Sequence, residues 1–465
     1  MKTPHLLALG SLLAANAAFA SIDGVDRYLD GQVKQRRIPG ISLAVVRNGK
    51  LEKAAGYGLA DVENSVPVTE RTVYQWASMT KQFTAEAIMM LVNDGKLRLD
   101  DHIAKYYADA PDTWSNVTIR HLLNHTSGIK SYTSTPKFSA TIRKDYKPDE
   151  LIGLVRNLPL EFEPGDKWSY NNTGYYLLGL VIENVSGKSY GDFLTERIFR
   201  PLGMSTARVN QQLAIITNRA TGYDIRSNTI ARSEFVSPTQ PFSAGMLVGT
   251  VLDLAKWDAA LYSDKLLPTS VHEEMWTPTK LNNGEIPYYG YGWQLGDIRG
   301  HRYVGHGGGI DGFTSYILRL LDDKLTVIVL VNSDGSPETL ARGVAGRYVD
   351  GLTLPTIEPK PDPNPAFTKR LEQSLTVLAE TRDCDLLTDG FRKTFSRSRR
   401  RHGNLVEDMK DKKSFTFVIN DKPSAGADTN VTRLASYRLA TSSGARYYTF
   451  SLTADNKIAG LETEE

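Results

Sequence analysis

The sequence predicts an α/β protein of the α+β kind, with a mostly antiparallel main sheet assembled from both ends of a large body. Strand-like runs come in pairs at residues 41–54 and 314–331, whereas the long stretch between them has helical patterns. This order indicates a sheet flanked by helices, with a helical subdomain inserted between its halves. A small α+β domain is predicted at the C-terminal end.

The first strand pair consists of residues 41–47 and 50–54, on either side of Asn48-Gly49. Asn-Gly favours a tight hairpin because both turn positions need positive φ angles, which these two residues adopt readily. We therefore expect a hairpin at this point.

Three segments of the body have helical patterns. Residues 78–93 carry periodic apolar side chains, and Gly95 follows where a helix C-cap is expected. Residues 118–123 and 174–185 are also predicted to be helical.

A second hairpin is predicted near the end of the body. Residues 314–320 and 324–331 are β-rich runs around Asp322-Asp323. Because these strands lie far along the chain from residues 41–54, a shared sheet must join both ends of the body.

The tail begins with a helical pattern at residues 367–380 and continues with strand-like runs at 414–419, 434–439 and 446–453. This order predicts a small α+β accessory domain of unknown role. A basic run between them contains Arg392, Lys393, Arg397, Arg399, Arg400 and Arg401. We interpret it as a solvated surface; an anionic polymer or lipid head groups are the alternative.

The N-terminal end resembles an export signal, with Lys2, an apolar run at residues 6–15 and Ala18-Phe19-Ala20 as a cleavage site. An uncleaved membrane anchor is the alternative, although the run is short for a bilayer span. We expect a periplasmic or secreted protein without a transmembrane segment once the signal is removed.

Five prolines in eleven residues, at positions 355, 359, 361, 363 and 365, predict an extended linker. The domain plan is therefore a signal peptide at 1–20, a body at 21–354, a linker at 355–365 and the accessory domain at 366–465.

Composition excludes several classes of protein. The chain has 465 residues, 41% hydrophobic and 23% charged, with a net charge of +2. This balance argues against a disordered chain and against nucleic acid as a partner. A single cysteine excludes an internal disulfide and a cysteine-based metal site. The histidines lack the spacing of a metal-binding motif, so we expect neither a metal nor another cofactor.

The first chemical motif is Ser78-Met79-Thr80-Lys81, at a predicted helix start. Residues three apart lie on one helical face, so the serine hydroxyl and the lysine amine can meet. A serine needs a base to become a nucleophile, and a lysine with a lowered pKa can be that base. Taken alone, a capping serine and a solvated lysine explain the motif as well.

Two further motifs follow. Tyr170-Asn171-Asn172 precedes a predicted helix and offers a hydroxyl and an amide. Residues 305–309, Gly-His-Gly-Gly-Gly, let a ligand approach the backbone, whose N–H groups can bind an oxyanion. Taken alone, a packed tyrosine and a glycine-rich turn before a hairpin are the simpler readings.

Together, the three motifs resemble the serine β-lactamase and penicillin-binding protein superfamily, which uses S-x-x-K, Y-x-N and K-T-G or H-x-G in this order. The similarity is strongest to its class C branch, which includes D-Ala-D-Ala carboxypeptidases and esterases. Supporting stretches are residues 121–129, 201–204, 244–246, 253–255 and 291–293, the last expected to form a strand before the third motif. The resemblance covers about residues 22–350.

This resemblance implies a role for each motif residue. Ser78 is the acylated nucleophile, Lys81 takes its proton, and Tyr170 relays protons to the leaving group and the deacylating water. The oxyanion hole consists of the N–H groups of Ser78 and Gly309. The implied substrate-binding residues are Asn172, His306 and Gly308; Asn172 holds Lys81 and the substrate amide, and His306 contacts the substrate carboxylate or Tyr170.

Two departures from the pattern narrow the expected activity. His306 stands where class C β-lactamases carry lysine, and a neutral histidine binds a carboxylate less firmly. Gly307 replaces a threonine and removes a hydroxyl that could hold the same group. A D-Ala-D-Ala carboxypeptidase or an esterase is therefore favoured over a dedicated β-lactamase.

The implied function is an exported serine hydrolase that cleaves a small amide or ester: a D-amino-acid peptide, a carboxylester or a β-lactam. Its partner is a small-molecule or peptide substrate, with peptidoglycan-derived peptides among the options. The alternative is a catalytically silent protein of the cell envelope that binds or senses peptidoglycan-like peptides.

Overall fold

In a computed structural model of the chain, the structure describes residues 24–226, 229–397, 399–423, 430–442 and 444–464. The predicted signal peptide lies outside these residues. The chain divides into two compact units. The first comprises the described residues up to Leu295 together with Arg302–Val344, and the second comprises Gly296–His301 together with the described residues from Ala345 onward. The predicted domain boundaries stay a prediction.

The body has one long sheet and several short strand pairs. Its strands are β1 (Gly40–Arg47), β2 (Lys50–Asp61), β3 (Val66–Pro67), β4 (Tyr74–Gln75), β5 (Arg208–Val209), β6 (Tyr223–Arg226), β7 (Thr229–Arg232), β8 (Leu247–Gly249), β9 (Gln294–Ile298), β10 (His301–Ile310), β11 (Phe313–Leu320) and β12 (Leu325–Val331).

The long sheet has seven strands in the order β3-β2-β1-β12-β11-β10-β9. The first long strand, β1, pairs antiparallel with the last, β12, through Ile41 opposite Val331 and Val45 opposite Val327. Every residue of β12 is buried, as expected of a central strand covered on both faces. The predicted sheet from both ends of the body is therefore confirmed.

The hairpin turn at the first strand pair also follows the prediction. Arg47 lies opposite Lys50, and the two turn residues, Asn48 and Gly49, have φ angles of 52° and 72°. These are the positive values that a tight hairpin turn requires.

Helices of the body pack around this sheet and against one another. They are α1 (24–36), α2 (Thr80–Asn93), α3 (Ile119–Leu123), α4 (Pro136–Ala140), α5 (Pro148–Ile152), α6 (Asn172–Ser186), α7 (Tyr190–Leu194), α8 (Arg200–Leu202), α9 (Phe242–Gly245), α10 (Val251–Ala260), α11 (Thr269–Met275) and α12 (Pro337–Ala345). The predicted helices at 78–93, 118–123 and 174–185 correspond to α2, α3 and α6.

Helix α2 is central to the body because all its residues from Thr80 to Leu91 are buried. A helix that is buried all round must satisfy its polar side chains internally. Gln82 accepts a hydrogen bond from Trp257 at 3.0 Å, and Glu86 lies 3.1 Å from His272. The helix is thereby fixed in rotation, which also fixes the residues at its start.

One expectation about local structure, and one alternative, were wrong. Residues 291–293 do not form a strand: β9 begins at Gln294, and Gly292 has a φ angle of +77°, outside the range of extended backbone. Residues 305–309 are not a turn but part of β10, paired with β11.

The second unit is an α+β structure, as predicted. Its antiparallel sheet has the order β13-β14-β15-β16, from β13 (Ser414–Asp421), β14 (Val431–Thr441), β15 (Gly444–Thr453) and β16 (Ile458–Glu464). Its helices are α13 (Pro365–Thr381), α14 (Asp389–Arg397) and α15 (Arg399–Lys410). The sequence pattern had not indicated α14, α15 or β16.

Apolar side chains of α13 and of the sheet build the core of this unit. Leu371, Leu375 and Leu378 recur at helical spacing and are buried together with Leu439 and Phe450 of the sheet. In the basic run, Arg392 pairs with two aspartates of the same unit. The side chains of residues 396–404 lie outside the described structure, so the interpretation of this run stays a prediction.

Within the described part of the chain, no helix combines the length and the apolar character needed to cross a bilayer.

Candidate active site

Ser78 lies in a single 3-10 turn, Ala77–Met79, that leads directly into α2. The residue before it, Ala77, has a φ angle of +47°, a left-handed conformation that costs a side-chain-bearing residue energy. The strained residue Ala77 therefore directly precedes Ser78. Backbone strain of this kind is concentrated at functional sites.

The amine of Lys81 is buried and has three oxygen neighbours. Its Nζ atom lies 3.1 Å from Ser78 Oγ, 2.8 Å from Asn172 Oδ1 and 2.8 Å from the carbonyl oxygen of Ala244. Lys81 has no exposed surface. The predicted contact between Lys81 and Ser78, one helical turn apart, is therefore present in the structure.

This environment suits a lysine that acts as a base. Burial lowers the pKa of Lys81 well below its ordinary value, because loss of solvation disfavours the charged ammonium form. A neutral amine has two N–H donors and one lone pair. Asn172 Oδ1 and the Ala244 carbonyl can only accept, so they take the two donors, and the lone pair faces the Ser78 hydroxyl.

The Ala244 carbonyl is positioned by the packing of α9 against α6. A Cβ atom at Gly179 on α6 would lie 2.1 Å from Ser243 Oγ, so only glycine allows this approach. Ser243 Oγ in turn donates to the carbonyl of Tyr175 at 2.8 Å. The third contact of Lys81 thus depends on a glycine more than sixty residues away in the chain.

Tyr170 lies beside both motif residues. Its ring centroid is 4.8 Å from Lys81 Nζ, and its hydroxyl interacts with the Ser78 side chain. Burial raises the pKa of Tyr170 well above its ordinary value, and the interaction with Ser78 partly offsets this rise. The phenol is therefore protonated, and it can pass a proton to or from the serine oxygen.

The start of α6 holds the second motif. Asn171 is the N-cap, and its side chain accepts a hydrogen bond from the Gly174 N–H at 2.8 Å. Asn172 Nδ2 donates to Thr133 Oγ1 at 3.2 Å, which orients Oδ1 of the same amide toward Lys81. Asn171, to which the sequence assigned no role, therefore fixes the backbone that presents Asn172.

Strand β10 carries the third motif along the turn that holds Ser78. A Cβ atom at Gly308 would lie 2.2 Å from the carbonyl oxygen of Trp76 and 2.4 Å from Ser315 Oγ. Ser315, opposite Gly308 on β11, donates to that same Trp76 carbonyl at 2.8 Å. Glycine at 308 therefore lets the strand approach the nucleophile.

Gly309 differs from Gly308, because nothing lies within 4 Å of a Cβ atom built on it. β9 has five residues and β10 has ten, and a two-residue turn joins them. The second half of β10, which includes Gly309, therefore extends beyond the end of β9. Backbone N–H groups on that edge can face a ligand, as the predicted oxyanion hole requires.

His306 is buried, and both of its ring nitrogens have partners. Nδ1 lies 2.6 Å from the carbonyl oxygen of Gly307, which can only accept, so Nδ1 carries the proton. Nε2 then accepts from the Tyr289 hydroxyl at 2.9 Å. Burial and the nearby Lys81 lower the pKa of His306 to about 3. The imidazole is therefore neutral, and its ring lies near Tyr170, with centroids 6.1 Å apart.

An aromatic cluster surrounds a further buried histidine, His125. Its ring centroid lies 4.5 Å from that of Tyr170 and 4.7 Å from that of Tyr289. Its Nδ1 accepts from the Asn171 N–H at 3.1 Å, and its φ angle is +63°. His125 thus connects the backbone of the second motif to the rings around Lys81 and His306.

A cavity of about 660 Å³ opens at these residues. Its walls come from the turn at Ser78, the loop before α6, the strands β9 to β11 and the start of α12. The lining residues are Ser78, Trp168, Tyr170, Gln294, His306, Gly307, Gly308, Gly309, Ser315, Tyr316, Ser336, Pro337, Glu338 and Thr339.

The structure brings the predicted site residues together. Ser78, Tyr170, His306, Gly308 and Gly309 line this cavity. Lys81 forms a hydrogen bond with Ser78, and Asn172 accepts a hydrogen bond from Lys81. Their catalytic and binding roles stay predictions.

Sequence reasoning missed several residues of the site. These are Trp168, Ala244, Tyr289, Gln294, Tyr316 and Glu338. Ala244 contributes only its carbonyl oxygen, which any residue type has, and the others lie outside the three motifs. Their place in the site depends on folding alone.

The matching family model, described as Beta-lactamase, covers residues 25–348. The chain belongs to this family. The match includes all three motifs and the whole cavity lining, and it ends before the tail.

Curated relatives agree with this assignment. The chain is 34% identical over 297 residues to penicillin-binding protein 4* of Bacillus subtilis, covering 61% of this chain and 65% of that one. It is 30% identical over 318 residues to protein flp of Staphylococcus aureus, covering 66% and 62%. The chain thus spans less than two thirds of the length of these relatives.

Solved structures extend the comparison. The octameric penicillin-binding protein homologue of Pyrococcus abyssi matches with a TM-score of 0.64 and 25% identity, covering 94% of each chain. D-amino acid amidase of Ochrobactrum anthropi SV3, complexed with L-phenylalanine amide, matches with a TM-score of 0.61 and 30% identity, covering 71% of this chain and 96% of that one. The chain therefore has the fold of the serine β-lactamase and penicillin-binding protein superfamily.

Proposed function

We propose that the protein is an exported serine hydrolase that forms an acyl-enzyme on Ser78 and acts on small amides or esters of D-amino acids. One observation carries the proposal: the Nζ atom of the buried Lys81 lies 3.1 Å from Ser78 Oγ, and its other two neighbours, Asn172 Oδ1 and the Ala244 carbonyl, can only accept hydrogen bonds. A lysine with only a structural role would not need a serine hydroxyl as the third neighbour of its amine.

In the acylation step, Ser78 Oγ attacks the carbonyl carbon of the substrate while its proton moves to Lys81 Nζ. The carbonyl oxygen becomes an oxyanion held by the N–H groups of Ser78 and Gly309. The C–N or C–O bond then breaks, and the leaving group takes a proton through Tyr170. Water attacks the resulting ester, its proton passes to the same pair of side chains, and Ser78 is regenerated.

The charge of the cavity supports the substrate class. Among the lining residues, all of them within the described chain, Glu338 has the only formal charge, because His306 is neutral. A substrate carboxylate would find no cationic side chain on these walls. This favours an amide or ester substrate over a β-lactam or a peptide with a free C-terminal carboxylate. The likeness to D-amino acid amidase points in the same direction.

A hydrolysis panel tests the proposal. It contains D-phenylalanine amide, a D-Ala-D-Ala peptide, short-chain p-nitrophenyl esters and a chromogenic cephalosporin, with Ser78→Ala as the blank. We expect turnover that depends on Ser78 for the amide and the esters, and little for the cephalosporin. Preferred turnover of the cephalosporin would instead identify a β-lactamase.

Labelling with a fluorophosphonate and a fluorescent penicillin separates an enzyme from a silent binding protein. We expect the fluorophosphonate to label the wild type but not Ser78→Ala, and the penicillin to label the wild type more weakly, because its carboxylate meets no cationic side chain among the lining residues. An absence of labelling, under conditions that label a control hydrolase, would support the cell-envelope binding protein instead.

Export is a separate part of the proposal and rests on residues 1–20. We expect N-terminal sequencing of the secreted or periplasmic protein to begin at Ser21. Recovery of the full-length chain in the membrane fraction would favour an uncleaved anchor.

A further inference from the structure

A second cavity, of about 220 Å³, lies within the second unit. Pockets for drug-sized ligands measure roughly 300–1,000 Å³, so this one suits a molecule of about the size of a single amino acid. The family match ends before all of its lining residues. They are Asp362, Pro363, Asn364, Phe367, Phe417, Asn420, Arg433 and Tyr437.

Strand pairing places an aromatic wall and a cation on the same side of the sheet. Phe417 on β13 lies directly opposite Tyr437 on β14, and both rings are buried. Every second residue of a strand points to the same face, so Arg433 shares the face of Tyr437. The cavity therefore combines the end of the apolar core with a guanidinium group.

The segment before α13 forms the opposite wall. The Lys360 N–H donates to the Val418 carbonyl at 2.9 Å, which holds this segment beside β13. Asn364 is the N-cap of α13, and its own N–H donates to Asp362 Oδ1 at 2.9 Å. Asp362 is thereby fixed at the cavity, and its second oxygen, Oδ2, takes no part in this bond.

Arg433 is held by a ring rather than by an anion. Its guanidinium carbon lies 5.4 Å from the centroid of the Phe367 ring, a cation–π contact that orients the group. Among the described residues, its N–H groups have no hydrogen-bond acceptor and no ion-pair partner. These donors are therefore available to a ligand in the cavity.

The cavity thus presents two opposite charges that do not pair with each other within the described structure, beside three aromatic rings. Guanidinium groups bind carboxylates, and carboxylates bind ammonium groups through charge-assisted hydrogen bonds. A zwitterion with an apolar side chain matches all three features. We propose that this cavity binds one free α-amino acid, with its carboxylate on Arg433, its ammonium group on Asp362 and its side chain against the rings.

This site does not depend on the proposed hydrolase function, because its residues belong to the second unit and include none of the three motifs. The chemistry of the ligand does connect the two proposals. A free amino acid is the acid product that hydrolysis of an amino acid amide or ester releases.

Calorimetry on the full-length protein tests the site with phenylalanine, as both enantiomers, and with two analogues. 3-Phenylpropanoate lacks the ammonium group, and 2-phenylethylamine lacks the carboxylate. We expect saturable binding of at least one enantiomer. Each analogue should bind about tenfold more weakly, because one charge-assisted contact is missing.

Two variants assign the two charges. Arg433→Gln should weaken binding of phenylalanine and of 3-phenylpropanoate about tenfold and leave 2-phenylethylamine unchanged. Asp362→Asn should weaken phenylalanine and 2-phenylethylamine and leave 3-phenylpropanoate unchanged. Asparagine keeps the Oδ1 acceptor for the Asn364 N–H, so the start of α13 stays intact.

Arg438→Gln is the matched control. It removes the same charge from the same strand, five residues further along and on the opposite face, and should bind all ligands like the wild type. A wild type that binds neither enantiomer overturns the proposal. Equal losses for both analogues in each variant would show a structural effect and overturn it too. Binding that is unchanged in both variants would place the ligand elsewhere, such as the cavity at Ser78, and overturn it as well.

Discussion

Lys81 and His306 are two buried bases near the same cavity, and their surroundings differ in one decisive respect. Burial lowers the pKa of both side chains, so both are poor cations. The Lys81 amine has two neighbours that only accept hydrogen bonds, and its third neighbour is the hydroxyl of the nucleophile, Ser78. His306 has both nitrogens engaged, by Tyr289 and by its neighbour Gly307. Burial thus makes a base available, and the hydrogen-bond partners decide whether it acts on a substrate.

The largest expected effect tests the reactive member of this pair. Lys81→Met should lower kcat for a p-nitrophenyl ester by about 10²–10⁴-fold, because the serine loses its base. Lys96→Met, at an exposed lysine just beyond the end of α2, is the control and should leave kcat unchanged. Similar kcat values for wild type and Lys81→Met would remove Lys81 from the mechanism.

The second prediction concerns acid stability and the inert member. The pKa of His306 is about 3 in the folded chain, below its ordinary value near 6.5, so the unfolded chain binds a proton first as pH falls. The free energy of unfolding should therefore decrease by about 1.4 kcal/mol per pH unit between pH 6.5 and 3 through this group. The contribution of His306 to the free energy of unfolding is fully retained above pH 6.5.

His306→Gln should remove this contribution. Urea unfolding at a series of pH values should show a shallower loss of stability for the variant than for the wild type. His102→Gln, at an exposed histidine, is the control and should follow the wild type. Parallel curves for wild type and His306→Gln would contradict a neutral, buried imidazole.

The third prediction tests the strand that carries His306 past the nucleophile. Gly308→Ala should destabilise the fold by about 1–3 kcal/mol and reduce turnover, because the new methyl group meets the Trp76 carbonyl at 2.2 Å. Gly309→Ala introduces the same methyl group into open space and should be tolerated by the fold. Thermal unfolding and ester turnover of the pair measure the difference; equal effects would show that close approach at Gly308 is not required.

The last prediction tests the contact that keeps His306 inert, and its expected effect on turnover is the smallest. Tyr289→Phe removes the donor to Nε2 and should cost about 1–3 kcal/mol of unfolding free energy, because a buried nitrogen is left without a partner. Turnover should change less than in Lys81→Met. Tyr288→Phe, at the half-buried neighbour, is the control and should stay close to wild type. If the two variants are equally stable, the Tyr289 contact contributes nothing.

Much of the fold followed from local patterns. Asn48-Gly49 has only a few favourable conformations, and helix α2 ends where Gly95 predicted. The wrong expectations arose where local pattern is ambiguous: the glycines at 305–309 are common in turns, and only pairing with β11 makes them a strand. Tertiary packing overrides local preference at such positions.

For the site, the sequence by itself determined the reacting groups, because S-x-x-K and Y-x-N consist of side chains whose chemistry is tied to residue type. It also placed Ser78 and Lys81 one helical turn apart. Only the tertiary structure decided the rest: that the Ala244 carbonyl accepts a hydrogen bond from Lys81, that Tyr289 donates one to His306, and that Glu338 has the only formal charge among the described residues that line the cavity. Backbone carbonyls and distant side chains leave no local signal, since their contribution depends on which segments folding brings together.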